Sequence, residues 1–417
     1  MEAYDKLPYQ PTLEIKPFHA QAPEKCLDDF KQLLRLSPIG PRTFENSDTN
    51  DRRYGPSRRW VIKAKDNWLG EFDWRRHEER INSFPNFTAA VDEFNEAGDK
   101  LEIHFVALFS QRPDATPLVL YHGWPGSFME FFDVLDIIKE KYTPRELPYH
   151  VVVPSLPGYA FSSGPPLEYD FTLEDSSLAL DKLLRGLGLY GYIAQGGDLG
   201  ASVARYQAAK CNSCAGMHLN YTPLPRPPNA AALPVSELEE RGLQRGLWFR
   251  EVGAAYAILH GTRTATIGLA LSTSPLAVLC WISEKFLDWT DEDTSLDTIL
   301  AHATMYWITE TFPRCIYPYR DMAGDAERPR IAKASGPSGY SFFQHDIMPM
   351  PASWVATSCN LVSVAMHENG GHFAAMEKPK ELLADIEAYM KKAYMGYKRG
   401  HSETESNRYR KETPEAE

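Results

Sequence analysis

Short apolar runs punctuate the middle of the chain, at Ile103–Phe109, Pro117–Tyr121, His150–Val153, Tyr192–Ala194 and Met217–Leu219. Each is bounded by Gly, Pro or charged residues, and helical patterns such as Phe128–Lys141 and Leu173–Leu187 lie between several of them. Strands alternating with helices predict an α/β domain, a mostly parallel sheet with helices on both faces. From about 226 to 335 the pattern changes to helices and loops without strand alternation. Alternation resumes with strand-like Tyr340–Phe343 and Trp354–Val364, and an amphipathic helix is expected from Lys378 to about Tyr394. The first hundred residues carry little periodicity but many aromatics, among them Trp60, Trp68, Phe72, Trp74, Phe84 and Phe87, separated by polar residues. That texture suits a segment that wraps a larger core and anchors itself with rings. The expected division is 1–101 (wrapping segment), 102–225 and 336–395 (two parts of the sheet domain), 226–335 (helical insertion) and 396–417 (charged, disordered tail).

Composition narrows the function. Of 417 residues 43% are hydrophobic and 24% charged, an ordinary globular balance. The 44 basic residues face 56 acidic ones, a net charge of −12 that argues against a nucleic-acid partner. Six cysteines make no disulfide framework, and the first twenty residues lack the apolar core of a signal peptide. A reducing, cytoplasmic setting and a soluble protein are expected. Cys211 and Cys214 form a lone CxxC, read as two thiols near a helix end. The longest apolar stretch, Ile267–Ile282, is interrupted by Ser-Thr-Ser-Pro and falls short of the ~20 residues that span a bilayer, so no membrane anchor is expected.

The sharpest chemical signal is Gly196-Gly-Asp198-Leu-Gly200, directly after Tyr192–Ala194. A small-x-nucleophile-x-small pattern between strand and helix is the nucleophile elbow of the α/β-hydrolase fold. Taken alone, the same residues could be a loop with a helix-capping aspartate. The central residue is aspartate, and no Gly-x-Ser-x-Gly occurs in the chain, which speaks against an esterase. A carboxylate that attacks a saturated carbon leaves an ester that water can cleave, whereas serine would leave an inert ether. Epoxide opening and carbon–halogen cleavage both fit that logic.

Three further positions complete the set. His122-Gly-Trp-Pro-Gly-Ser127 follows Pro117–Tyr121 where this fold places one oxyanion-hole donor, so the backbone N–H groups of Trp124 and Leu199 are the candidates. His122 itself is read as orienting its loop. Gly370-Gly-His372-Phe373 supplies the histidine late in the chain, in the order nucleophile, acid, histidine. His367 and His372 look like a zinc motif, but they are five apart and two glycines interrupt any helix that could align them. The acid is expected on the loop after Tyr340–Phe343, at Asp346.

With these residues in view the chain resembles the epoxide hydrolases of the microsomal type, particularly the soluble fungal members, over roughly residues 8 to 395. The resemblance rests on Trp74-Arg…Asn82-Ser-Phe-Pro-Asn-Phe87, the three motifs above, and Ser274-Pro-Leu276…Trp281-Ile282…Glu284-Lys-Phe286. It implies an N-terminal meander, an α/β-hydrolase core and a helical lid over about 226–335. It also implies two lid tyrosines that hold the epoxide oxygen, Tyr256 and Tyr319, with Tyr317 as the fallback, and a homodimer through the lid. The expected reaction is attack of Asp198 on a small-molecule epoxide, then hydrolysis of the ester by water that His372, oriented by Asp346, activates. No cofactor or metal is expected. A haloalkane dehalogenase is the enzyme alternative, but Leu199 stands where that chemistry commonly wants tryptophan. A non-catalytic hydrolase-like binding protein is the other.

Overall fold

β1 (Ile15–Pro17), β2 (Asn86–Asp92), β3 (Lys100–Leu108), β4 (Thr116–Tyr121), β5 (Tyr149–Pro154), β6 (Tyr192–Gly196), β7 (Cys214–Leu219), β8 (Ala334–His345) and β9 (Cys359–Gly371) hydrogen-bond into one sheet. The computed structural model in which they are seen describes residues 3–50, 52–95, 98–323 and 333–400. The strand order is β1-β2-β3-β5-β4-β6-β7-β8-β9. Pairing is antiparallel from β1 through β3 to β5 and parallel from β5 to β9. Leu118–Tyr121 of β4, Val151–Val153 of β5 and Tyr192–Ala194 of β6 are fully buried, which is why these strands read as unbroken apolar runs. Helices Phe132–Lys141, Leu173–Gly186 and Asp198–Lys210 connect them. Thr172 and Asp175 close a reciprocal capping box at the start of the second.

Three expectations need correction. β1 and β2 lie in the segment read as lacking strands. β2 is rich in Ala and Thr rather than bulky residues, and its ladder partner β3, not its own pattern, makes it a strand. The run Trp354–Val364 is not one strand: Ala352–Val355 is a helical turn after Pro351, and β9 begins at Cys359 and continues to Gly371. The C-terminal helix Pro379–Gly400 runs past Tyr394, so residues 396–400 of the expected tail are helical despite Gly396 and Gly400. The remaining tail residues, 401–417, lie outside the described residues.

Between β7 and β8 the chain forms helices Glu237–Trp248, Ala255–Thr262, Thr264–Leu271, Pro275–Asp288 and Leu296–Ile308, then the short Thr311–Cys315 and Tyr319–Ala323. A π-helical turn, Phe249–Gly253, precedes the second of them. Aromatic residues of the N-terminal segment bind it to both layers. Trp68 is fully buried and its indole N–H donates to Thr304 Oγ1 of Leu296–Ile308 at 2.9 Å. Phe84 stacks on Phe132 of a sheet helix, with ring centroids 4.9 Å apart.

Candidate active site

Asp198 stands at the turn from β6 into its helix with a φ of +48°, a left-handed conformation that costs an L-residue on the order of 1 kcal/mol or more. The neighbours make room for that turn. A Cβ on Gly196 would come 2.3 Å from the Gly200 carbonyl group, and one on Gly200 would come 2.3 Å from the Tyr121 carbonyl oxygen. Gly123 has no room for a side chain either, because Asp198 Cβ lies 2.3 Å from where its Cβ would be. The backbone N–H of Trp124 donates to Asp198 Oδ1 at 2.8 Å. Leu199 follows in the first turn of the helix, where backbone N–H groups have no intrahelical acceptor.

His372 directly follows β9 and is buried. Its Nδ1 lies 2.6 Å from Asp346 Oδ1, and its Nε2 lies 3.4 Å from Asp198 Oδ2. Burial pushes the imidazole pKa down, but Asp346 and Asp198 reverse this and raise it to about 10. The Asp346 loop is held from outside. The Arg245 guanidinium donates to the Asp346 carbonyl at 2.9 Å and to the Asp288 carbonyl at 2.8 Å, tying the loop to two helices. His122 accepts from the Leu156 N–H at 3.1 Å through Nε2 and pairs with the Gly123 carbonyl at 3.1 Å through Nδ1. Burial lowers its pKa to about 4, so it is a neutral brace for the Gly123–Trp124 turn. His367 faces Asp385 at 2.7 Å and does not share a partner with His372.

Both tyrosines reach the site through Trp124. The Tyr256 ring stacks on the indole at 4.9 Å and 16°, and the Tyr319 ring meets it edge-on at 5.9 Å. The two phenol rings are 5.7 Å apart. The Tyr319 hydroxyl is buried with no hydrogen bond of good geometry, although the Tyr256 phenol is close enough to perturb it. Burial first, then neighbours that include Asp198, lifts both phenol pKa values well above 10, so both are protonated donors at neutral pH. Tyr317 packs edge-on against Phe171 at 5.2 Å instead.

Several residues here carry no motif of their own. The Trp289 carbonyl accepts from the His372 backbone N–H at 2.8 Å, and its ring lies 5.0 Å from the His372 ring and 5.3 Å from Tyr256. His260 sits between Trp124 and Tyr319 at 4.7 and 4.9 Å, and burial lowers its pKa to about 3. Glu130 is buried with an unpartnered Oε1, and burial raises its pKa to about 8. It shares a chamber of about 20 Å³ with Asp198, His372, Asn220 and Trp124, room for one water molecule. A larger cleft, about 380 Å³, opens on the other side of Glu130 but touches neither Asp198, Asp346 nor His372.

Sheet order, strained elbow aspartate and late histidine define an α/β hydrolase. A family model described as alpha/beta hydrolase fold matches residues 116–255, and one described as Epoxide hydrolase N terminus matches residues 15–131. A Dothistroma septosporum protein assigned as an epoxide hydrolase is 47% identical over 397 residues, 94% of each chain. The solved structure of Aspergillus niger epoxide hydrolase is 44% identical with a TM-score of 0.88, covering 94% of this chain and 100% of that one. Epoxide hydrolase 1 of Oryctolagus cuniculus is 29% identical over 89% of this chain and 88% of its own. The chain belongs to the epoxide hydrolases. Among the described residues no single helix is long and apolar enough to cross a membrane.

Proposed function

We propose that this epoxide hydrolase works through a covalent ester on Asp198, with Asp346, His372, Tyr256 and Tyr319 in the roles their positions suit. The observation that carries the reading is one carboxylate, held at a φ of +48°, that meets both the Trp124 N–H and the His372 ring. In the resting site His372 is an imidazolium between two carboxylates. Asp198 attacks an epoxide carbon, its C–O bond forms as the ring C–O bond breaks, and a phenol of Tyr256 or Tyr319 protonates the departing oxygen. The ester is neutral, so His372 loses one of the two charges that held its proton. That proton returns through the site to the phenol, and His372 becomes a base.

Neutral His372 then takes a proton from water, which attacks the ester carbonyl. The N–H groups of Trp124 and Leu199 face the oxyanion, a contribution on the order of a few kcal/mol. When the intermediate collapses, the imidazolium protonates the leaving diol oxygen. The Asp198 carboxylic acid gives its proton back to His372, which restores the resting charges. The chamber beside Glu130 suits the hydrolytic water. A small-molecule epoxide substrate follows from this chemistry, and the helices between β7 and β8, which carry both phenols, suit the lid expected over 226–335, of which 324–332 lie outside the described residues.

A homodimer through that segment is supported by Ile258 and Leu269, which are 65% and 71% exposed. Six free thiols support a cytoplasmic setting.

The test is His372→Gln mixed with excess epoxide. Intact mass should rise by one substrate mass, on the peptide bearing Asp198, and turnover should cease. An inactive variant that accumulates no adduct would mean that the base, or the ester, is misassigned.

A further inference from the structure

Lys285 is a cation where a hydrophobic side chain would be expected. It lies in Pro275–Asp288 with its side chain 3% exposed and its ammonium paired with Glu284, whose own side chain is 36% exposed. The ammonium stands over three aromatic rings, 4.7 Å from the centroid of Tyr256, 5.6 Å from Trp281 and 5.9 Å from Trp289. Removing an ammonium from water is costly, and a well-packed apolar residue of similar volume is often at least as stable. Ring faces offset part of that cost. The nearest ring is the one that matters for chemistry. Tyr256 stacks on Trp124, whose backbone N–H holds Asp198, so two aromatic rings separate the buried cation from the nucleophile.

We propose that Lys285 is a positioning residue for ring opening, its ammonium over the Tyr256 ring strengthening that phenol as a donor to the epoxide oxygen. The inference rests on the role given to Tyr256 above and extends it. As the epoxide C–O bond breaks and the phenol proton moves to the departing oxygen, negative charge gathers on the phenol oxygen and spreads into its ring. Burial, Asp198 and Glu284 all oppose that charge. The Lys285 ammonium lies on the face of that ring, and a cation there favours the charge as it develops. Burial pulls the ammonium toward neutrality while Glu284 holds its proton on. Once the phenol has regained its proton from His372, water attack on the ester runs on His372, so the lysine acts on the alkylation half-reaction.

The experiment separates the two steps by rapid mixing with an aryl epoxide, following tryptophan fluorescence and quenched ester. Lys285→Met should slow alkylation about tenfold, within the range of a desolvated cation–π contact, and leave ester hydrolysis within about twofold. Lys285→Arg should recover most of the loss, because a guanidinium also sits well over aromatic faces. In a Tyr256→Phe background Lys285→Met should add less than about a further twofold. Unchanged alkylation in Tyr256→Phe alone would remove the phenol's role and the lysine's with it. A slowed Tyr256→Phe in which Lys285→Met still costs the full tenfold would keep the phenol and overturn the coupling. Equal slowing of both steps, or lost near-ultraviolet circular dichroism in Lys285→Met together with an impaired Lys285→Arg, would make the lysine structural and overturn the proposal.

Discussion

At the scale of single residues, charge decides which step each group can serve. His372 has its pKa raised to about 10 with both carboxylates ionised, so below that pH the resting imidazole is protonated. Raising the pKa means that deprotonation happens only as pH climbs through the raised value. Alkylation turns Asp198 into a neutral ester and leaves Asp346 as the carboxylate hydrogen-bonded to the ring, so the pKa must fall in the intermediate. Ester hydrolysis should therefore rise with pH through a midpoint well below about 10, while alkylation stays nearly flat between about pH 6 and about pH 9. Single-turnover rates across that range check both statements. A hydrolysis rate independent of pH would exclude His372 as the base. Asp198 and His372 carry a local signature because each stands at a turn flanked by glycines, at the start of a helix and just past the end of a strand. Glu130, His260 and Trp289 have none: each is drawn to the site by what packs against it.

Among the elements, the β6 elbow is the most constrained. Gly196 answers to the elbow's own Gly200, while Gly197 and Gly200 answer to Asn220 and Tyr121 of other segments, which a strand-to-helix pattern alone only suggests. Gly200→Ala would drive a methyl group to 2.3 Å from the Tyr121 carbonyl oxygen, a main-chain atom in the buried strand β4 that cannot swing aside. The substitution should lower stability by about 2–3 kcal/mol and depress activity further by moving Asp198. Thermal unfolding checks the first effect, and the yield of ester adduct in a His372→Gln background checks the second. β9 shows the opposite relation between pattern and structure. Its apolar signal begins five residues too early, at Trp354, because a helical turn also buries an apolar residue. Its end comes later than the pattern suggests: the apolar run stops at Val364, whereas the strand continues through His367 to Gly371, the point that delivers His372 to the elbow.

For the molecule as a whole, the arrangement places one layer of helices over the C-terminal ends of the parallel strands and straps it with the N-terminal segment. Trp68 reaching Thr304 is one such strap. Ile258 and Leu269 of the same layer expose apolar side chains. Sedimentation should find a dimer at micromolar concentration, and Ile258→Lys with Leu269→Lys should shift it to monomer while single-turnover chemistry persists. A monomeric starting protein would remove the dimer reading without touching the mechanism.

Alternating apolar runs and helical periods were enough to determine an α/β sheet, because burial on both faces leaves its mark residue by residue along a strand. Gly196-Gly-Asp198-Leu-Gly200 marked the strained strand-to-helix turn for a similar reason: such a turn admits few residues, and the restriction is local. What covers the nucleophile was decided only in three dimensions. Lys285 reads as one more charged residue after Glu284, and only the packing of Pro275–Asp288 against Ala255–Thr262 lays its ammonium over a phenol 29 positions away in sequence. The antiparallel β1 and β2 depended on the edge that β3 offers. Contacts between distant segments are set by the shape both make together, and neither segment's own pattern of polar and apolar residues contains that shape.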